Sequence, residues 1–175
     1  MCGIVGYIGD KDAYPIIIKG LQRLEYRGYD SAGIALGQNN NLEVLKQKGK
    51  VSELKTYSSQ FDLKGSIGIG HTRWATHGIP NQTNSHPHIS GNKELALIHN
   101  GIIENYDSLK KILIDKGHIF ESETDSEVLI HLIEEIKEQE DCDIFEAVRL
   151  SLNEIIGAYA IVVMEKGNDQ EFIAA

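Results

Sequence analysis

The chain predicts an α+β fold in which sheets are covered by helices. Three observations lead there. Strand-like apolar runs occupy both ends of the sequence, and three helix-period segments stand together between residues 105 and 155. A length of 175 residues with 41% hydrophobic content suits one globular domain with a core of its own.

Taken in order, Cys2 to Ile8 reads as a buried strand. Asp12 is a capping residue for a helix in which Tyr14, Ile17, Ile18, Leu21 and Leu24 share a face. Arg27 to Gly33 is a glycine-bracketed turn, followed by a short strand at Ile34 to Leu36. The polar run Gln38 to Asn41 makes a hairpin tip leading into a strand at Leu42 to Gln47. Ser66 to Gly70 is a strand with glycine at alternate positions, and His71 to Asn92 an irregular loop of a length usually tied to function. Leu95 to His99 is a strand that ends at Asn100-Gly101. Asn105 caps a helix closed by Gly117. Thr124 to Glu127 has the capping-box pattern, and Asp143 opens a third helix carrying Phe145, Val148, Leu152 and Ile155. Tyr159 to Met164 and the segment from Phe172 are strands. The last strand is cut short at Ala175, so the domain is expected to be incomplete at its C-terminus.

A net charge of −9 argues against nucleic acid or an anionic membrane as the main partner. No apolar run approaches the ~20 residues of a membrane span, and the opening residues lack the basic start of a signal peptide. The two cysteines, Cys2 and Cys142, make no disulfide framework, which fits a reducing cytoplasm.

Removal of Met1, expected before a residue as small as cysteine, leaves Cys2 with a thiol nucleophile and a free α-amine as a ready base. The bland alternative is a small core cysteine. Asn100-Gly101 offers a side-chain amide and an open backbone N–H, two donors suited to an oxyanion; an ordinary tight turn is the alternative. Arg73 at a strand end can clamp a carboxylate through paired bonds or sit in a surface ion pair. Asp125 can hold an ammonium or simply serve a helix dipole. His71, His77 or His99 could replace the amine as base, but none has an evident carboxylate neighbour in sequence. Five of the seven histidines lie between His71 and His99 without a zinc-ligand spacing, so no metal is expected. Cys142, among Glu140, Asp141 and Asp143, is expected to be unreactive.

These pieces occur in one order. Cys2 to Gly6, Tyr26 to Gly33, His71 to Gly78, Asn84 to His88, His99 to Asn105 and Ser122 to Asp125 together resemble the class II glutamine amidotransferases of the N-terminal-nucleophile hydrolase superfamily. The runs Tyr26 to Gly33 and Arg73 to Gly78 look like the glutaminase domain of the glutamine–fructose-6-phosphate aminotransferases. The resemblance spans residues 1–175 and implies a four-layer αββα sandwich. It implies Cys2 as the nucleophile toward L-glutamine, with its own amine managing the proton, and Asn100 and Gly101 as the oxyanion hole. Arg73 would take the glutamine carboxylate and Asp125 its ammonium. Thr76 and His77 would belong to a closing loop, and Trp74 would gate ammonia. No cofactor is implied. Sugar-isomerase domains, which bind fructose 6-phosphate and form a homodimer, would be absent from this chain. The glutaminase domain of the phosphoribosylpyrophosphate enzyme and a non-catalytic binding fragment are the competing readings.

Overall fold

The computed structural model describes residues 2–74 and 79–175. Strands β1 (Gly3–Ile8), β2 (Ser31–Gln38), β3 (Asn41–Lys48) and β4 (Ile67–Arg73) form one antiparallel sheet in the order β1-β4-β2-β3. Strands β5 (His88–Ile89), β6 (Leu95–Ile103), β7 (Gly157–Glu165) and β8 (Ile173–Ala174) form a second, in chain order. Helices α1 (Ala13–Leu24) and α2 (Val51–Ser58) cover the first sheet, and α3 (Tyr106–Asp115), α4 (Asp125–Gln139) and α5 (Ile144–Glu154) the second.

Side-chain alternation along the strands builds the layers. Ala35, Ile67 and Ile69 of the first sheet meet Ala96, Ile98, Val162 and Met164 of the second. Ile34 and Leu36, pointing the other way along β2, pack with Ile17, Ile18 and Leu21 of α1. Gly68 and Gly70 alternate with Ile67 and Ile69, and a Cβ at either glycine would run into Ile17. The glycines therefore let α1 lie directly on β4. Beyond the second sheet, Leu97, Ile161 and Val163 pack against Leu129, Ile133, Val148 and their neighbours. The result is the expected αββα sandwich.

Several local expectations need correction. β1 is only partly buried, because its second face is left incompletely covered. β2 begins at Ser31, inside the expected turn, and β4 runs on through His71 and Thr72 to Arg73, because the two strands stay paired from Gly37–Ile67 to Ser31–Arg73. β6 does not stop at His99 either: pairing with β7 carries it through Asn100 and Gly101 to Ile103. Helix α2 has no counterpart in the sequence reading, since it buries only Val51, Leu54 and Ser58. Asp12 and Asp143 do cap, accepting from the amides of Tyr14 and Glu146. Asn105 stands at the start of α3, but its side chain bridges instead to Glu154 O and Ile156 N. The capping box at Thr124 is not formed: the Glu127 carboxylate reaches back to the amides of Glu121 and Ser122. Phe145 is exposed, and Ile144 takes its expected place in the core. No described helix is long and apolar enough to cross a membrane.

Candidate active site

Four segments converge at one end of the sandwich: the entry to β1, the exit of β4, the middle of β6 and the N-terminus of α4. Pairing of β1 with β4 sets Gly3 opposite Thr72, and the Gly3 amide donates to Thr72 Oγ1 at 3.1 Å. That registry delivers Cys2 to the end of β4. The Trp74 amide donates to Cys2 Sγ at 3.2 Å, and the thiol donates to Trp74 O at 3.6 Å. Trp74 itself is half exposed, with its indole against Gly28.

Asn100 is held from both sides. Its Oδ1 is 2.7 Å from His71 Nε2, and its Nδ2 donates to Cys2 O at 3.4 Å. A carbonyl oxygen cannot donate, so the His71 nitrogen carries the proton. Burial holds His71 neutral by lowering its pKa to about 4. Gly101 has φ +137° and sits opposite Tyr159, where a Cβ would collide with the Ala158 carbonyl. The Asn-Gly pair is thus a kink within a continuous strand and not a hairpin turn.

Asp125 opens α4, where the helix N-terminus favours negative charge. It is 5% exposed and accepts the Ile103 amide at 2.8 Å, tying α4 to β6. Arg73 is 4% exposed, with Nη1 3.7 Å from Asp30 Oδ1, so it is an interior cation and not a surface one. The Asp30 amide in turn donates to Arg73 O at 2.7 Å.

Cys2, Arg73, Trp74, Asn100, Gly101 and Asp125 all line one cavity of about 600 Å³. Thr76 and His77 lie outside the described residues. Arg27, Ser126 and Tyr159 also line the cavity. Arg27 belongs to a run the sequence singled out; Tyr159 carries no signal, because only β6–β7 registry brings it opposite Gly101.

His71, His86 and His88 form a row of contacting rings, with centroids 4.3 Å apart and planes tilted by 35° for His71–His86, and 4.7 Å apart and edge-on at 77° for His86–His88. Burial lowers the pKa of each, His99 included, although Asp125 pulls His99 the other way. His99 Nδ1 is engaged by Ser126 Oγ at 2.8 Å and His88 Nε2 by Thr124 Oγ1 at 3.0 Å. Neutral rings in hydrogen bonds to hydroxyls serve as braces for the cavity wall. Cys142 lies elsewhere, and burial followed by Glu146 and Asp143 raises its pKa.

Comparison with known proteins agrees with this arrangement. The glutamine amidotransferase domain family matches residues 1–175. A glutamine–fructose-6-phosphate aminotransferase of Bacteroides thetaiotaomicron is 60% identical over 176 residues, covering 100% of this chain and 29% of that protein. Its Thermus thermophilus counterpart is 51% identical, covering 100% and 28%. The chain therefore spans under a third of the length of these relatives. Among solved structures, the glutamine phosphoribosylpyrophosphate amidotransferase of B. subtilis, in complex with ADP and GMP, superposes with a TM-score of 0.84. It is 33% identical and covers 100% of this chain and 37% of that one. Sequence match and αββα architecture together establish that the chain belongs to the class II glutamine amidotransferase domain family, of the N-terminal-nucleophile hydrolase fold.

Proposed function

We propose that the cavity hydrolyses the side-chain amide of L-glutamine. The observation that carries this reading is the convergence of one thiol, one buried arginine, one buried carboxylate and an Asn-Gly pair on a single cavity. Glutamine is a zwitterion at one end and a neutral amide at the other, and these groups match it part by part. Arg73 takes the α-carboxylate and Asp125 the α-ammonium. Cys2 Sγ attacks the amide carbon, and the carbonyl electron pair moves onto oxygen. Asn100 Nδ2 and the Gly101 amide donate to that oxyanion. The thiol proton passes, through the Cys2 α-amine and a water, to the leaving nitrogen. The C–N bond breaks, ammonia departs, and water cleaves the γ-glutamyl thioester to glutamate. Thr76 and His77 belong to the segment that closes over glutamine, and Trp74 gates the path of ammonia. The scheme needs no cofactor.

We infer that the whole protein, like the relatives named glutamine–fructose-6-phosphate aminotransferase, uses that ammonia on fructose 6-phosphate to make glucosamine 6-phosphate in amino-sugar synthesis. Residues 1–175 belong to its glutaminase domain, sugar-isomerase domains hold the fructose 6-phosphate site, and the protein is a cytoplasmic homodimer without a nucleic-acid or membrane partner. Identity of 60% to the fructose-6-phosphate enzyme against 33% to the phosphoribosylpyrophosphate enzyme favours this branch.

Intact mass before and after treatment with a glutamine-like diazoketone tests the site. A single label mapping to Cys2 of a Met1-free chain is the expected result. A folded, Met1-free chain that takes no label, or takes it at Cys142, would overturn it.

A further inference from the structure

Away from the glutamine cavity, two histidines and a glutamate face one another. Helix α3 ends at Asp115, and at Gly117, with φ +99°, the chain turns so that His118 meets α4. There α4 presents His131 and Glu134 one turn apart on one face. His118 Nδ1 is 3.2 Å from His131 Nδ1 and 3.5 Å from Glu134 Oε2, and His131 Nδ1 is 3.3 Å from the same oxygen. His131 is 2% and Glu134 4% exposed.

The far side of each ring faces a carboxylate. His118 Nε2 is 2.8 Å from Glu135 Oε2, and His131 Nε2 is 3.8 Å from Glu127 Oε1. A carboxylate accepts only, so His118 Nε2 bears the ring proton and His118 Nδ1 presents a lone pair. Glu134 is fixed in turn by the amides of Gly91 at 2.9 Å and Asn92 at 2.7 Å. The His118 Nδ1 lone pair, the Glu134 oxygen and His131 Nδ1 then converge on one spot inside the protein, where a proton or a metal ion must sit among them.

We propose that His118, His131 and Glu134 bind a divalent cation of the zinc type. A tetrahedral ion with bonds of about 2.0–2.1 Å needs ligand atoms about 3.3–3.4 Å apart. The three separations here, 3.2, 3.3 and 3.5 Å, bracket that value. Two nitrogens and one oxygen suit zinc and its first-row neighbours, whereas calcium and magnesium prefer oxygen. Glu127 and Glu135 occupy the places of the outer carboxylates that orient histidine ligands. The three ligands line a cavity of about 630 Å³, which leaves a fourth position for water. The bound ion ties the segment after α3 to α4 and, through Glu134, to the Gly91–Asn92 turn. The competing occupant is a single shared proton.

The test uses protein dialysed against a chelator, with both cysteines alkylated so that the Cys2 thiol cannot contribute. Zinc uptake is followed by calorimetry, and cobalt(II) by its visible bands. One ion per chain with an intense, four-coordinate cobalt spectrum is expected. His118→Ala should abolish uptake, and Glu135→Gln, which leaves the three ligands in place, should weaken it about 10–100-fold. No saturable uptake by the unmutated protein overturns the proposal, and so does uptake unchanged by His118→Ala. If His118→Ala loses its helical circular dichroism, Glu135→Gln decides: unchanged affinity overturns the site.

Discussion

His71 Nε2 lies 2.7 Å from Asn100 Oδ1, and this bond decides which way the Asn100 amide faces. With the carbonyl oxygen engaged, the amide NH₂ is turned toward Cys2. A histidine considered as a base is thus a positioning residue for the side chain proposed as an oxyanion donor.

His71→Leu should therefore lower kcat for glutamate release while leaving KM for glutamine nearly unchanged. Losing an oxyanion donor outright costs about 100–1000-fold in kcat. A misaligned Asn100 should cost somewhat less than Asn100→Ala. Steady-state kinetics of the two variants check the order, and a His71→Leu effect confined to KM would show that His71 touches binding instead.

Acid should destabilise the fold before the carboxylates titrate. The His71 pKa falls from 6.5 to about 4 on folding, chiefly through burial, and His86, His88 and His99 shift in the same direction. Stability from a depressed histidine is complete above the unfolded value and lost as pH falls below it, at about 1.4 kcal/mol per pH unit for each ring. His131 counts the other way: Glu127 and Glu134 outweigh its burial and raise its pKa. Glu127, held at about 2, contributes its loss only below its ordinary 4.5. Urea midpoints should drop between pH 7 and pH 5.5. A flat profile would contradict four buried neutral rings.

Gly101→Ala should abolish glutaminase activity and destabilise the protein by about 2 kcal/mol or more. The backbone there is held at φ +137°, and the added methyl meets the Ala158 carbonyl of the neighbouring strand. To relieve the clash, β6 must part from β7 at the position whose amide is the proposed oxyanion donor. A chemical-denaturation curve and an activity assay read the two effects separately. Wild-type stability in the variant would show that the kink is dispensable.

The same dipeptide shows what local reading could and could not supply. Asn-Gly is a strong turn signal, and sequence alone ends the strand there; nine paired positions from Leu95–Glu165 to Ile103–Gly157 override it. The alternation in β4 and the caps at Asp12 and Asp143 were legible because each depends on neighbours within a few residues. Helix α2 was not, because its surface is mostly polar. Cys2, Arg73, Asn100, Gly101 and Asp125 were legible as a set only through their ordered motifs; each taken alone had a bland alternative. The Arg73–Asp30 pair and the His118–His131–Glu134 group arise from packing of separate segments, and no spacing rule announces them.

Asp30 supports Arg73 from a run that sequence analysis treated as a turn. Arg73→Lys should raise KM for glutamine by about 10-fold or more, since an ammonium cannot reproduce the paired bonds of a guanidinium. Asp30→Asn should give a smaller rise, because Arg73 keeps its charge and loses only its orientation. If Asp30→Asn proves the more harmful, the aspartate has a closer role in binding than the 3.7 Å contact implies.

Processing of Met1 should switch the chemistry on. While Met1 remains, the Cys2 nitrogen belongs to a peptide bond and can neither accept the thiol proton nor pass it to the leaving group. The thiol would still receive the Trp74 amide, so the pocket itself should form. A chain carrying an unprocessed residue before Cys2 should melt at the same temperature as the processed chain yet release no glutamate above background. Glutamate release at an undiminished rate would remove the amine from the mechanism. The proton would then have to pass through a side chain of the cavity, whose lining holds the imidazoles of His71, His86 and His99.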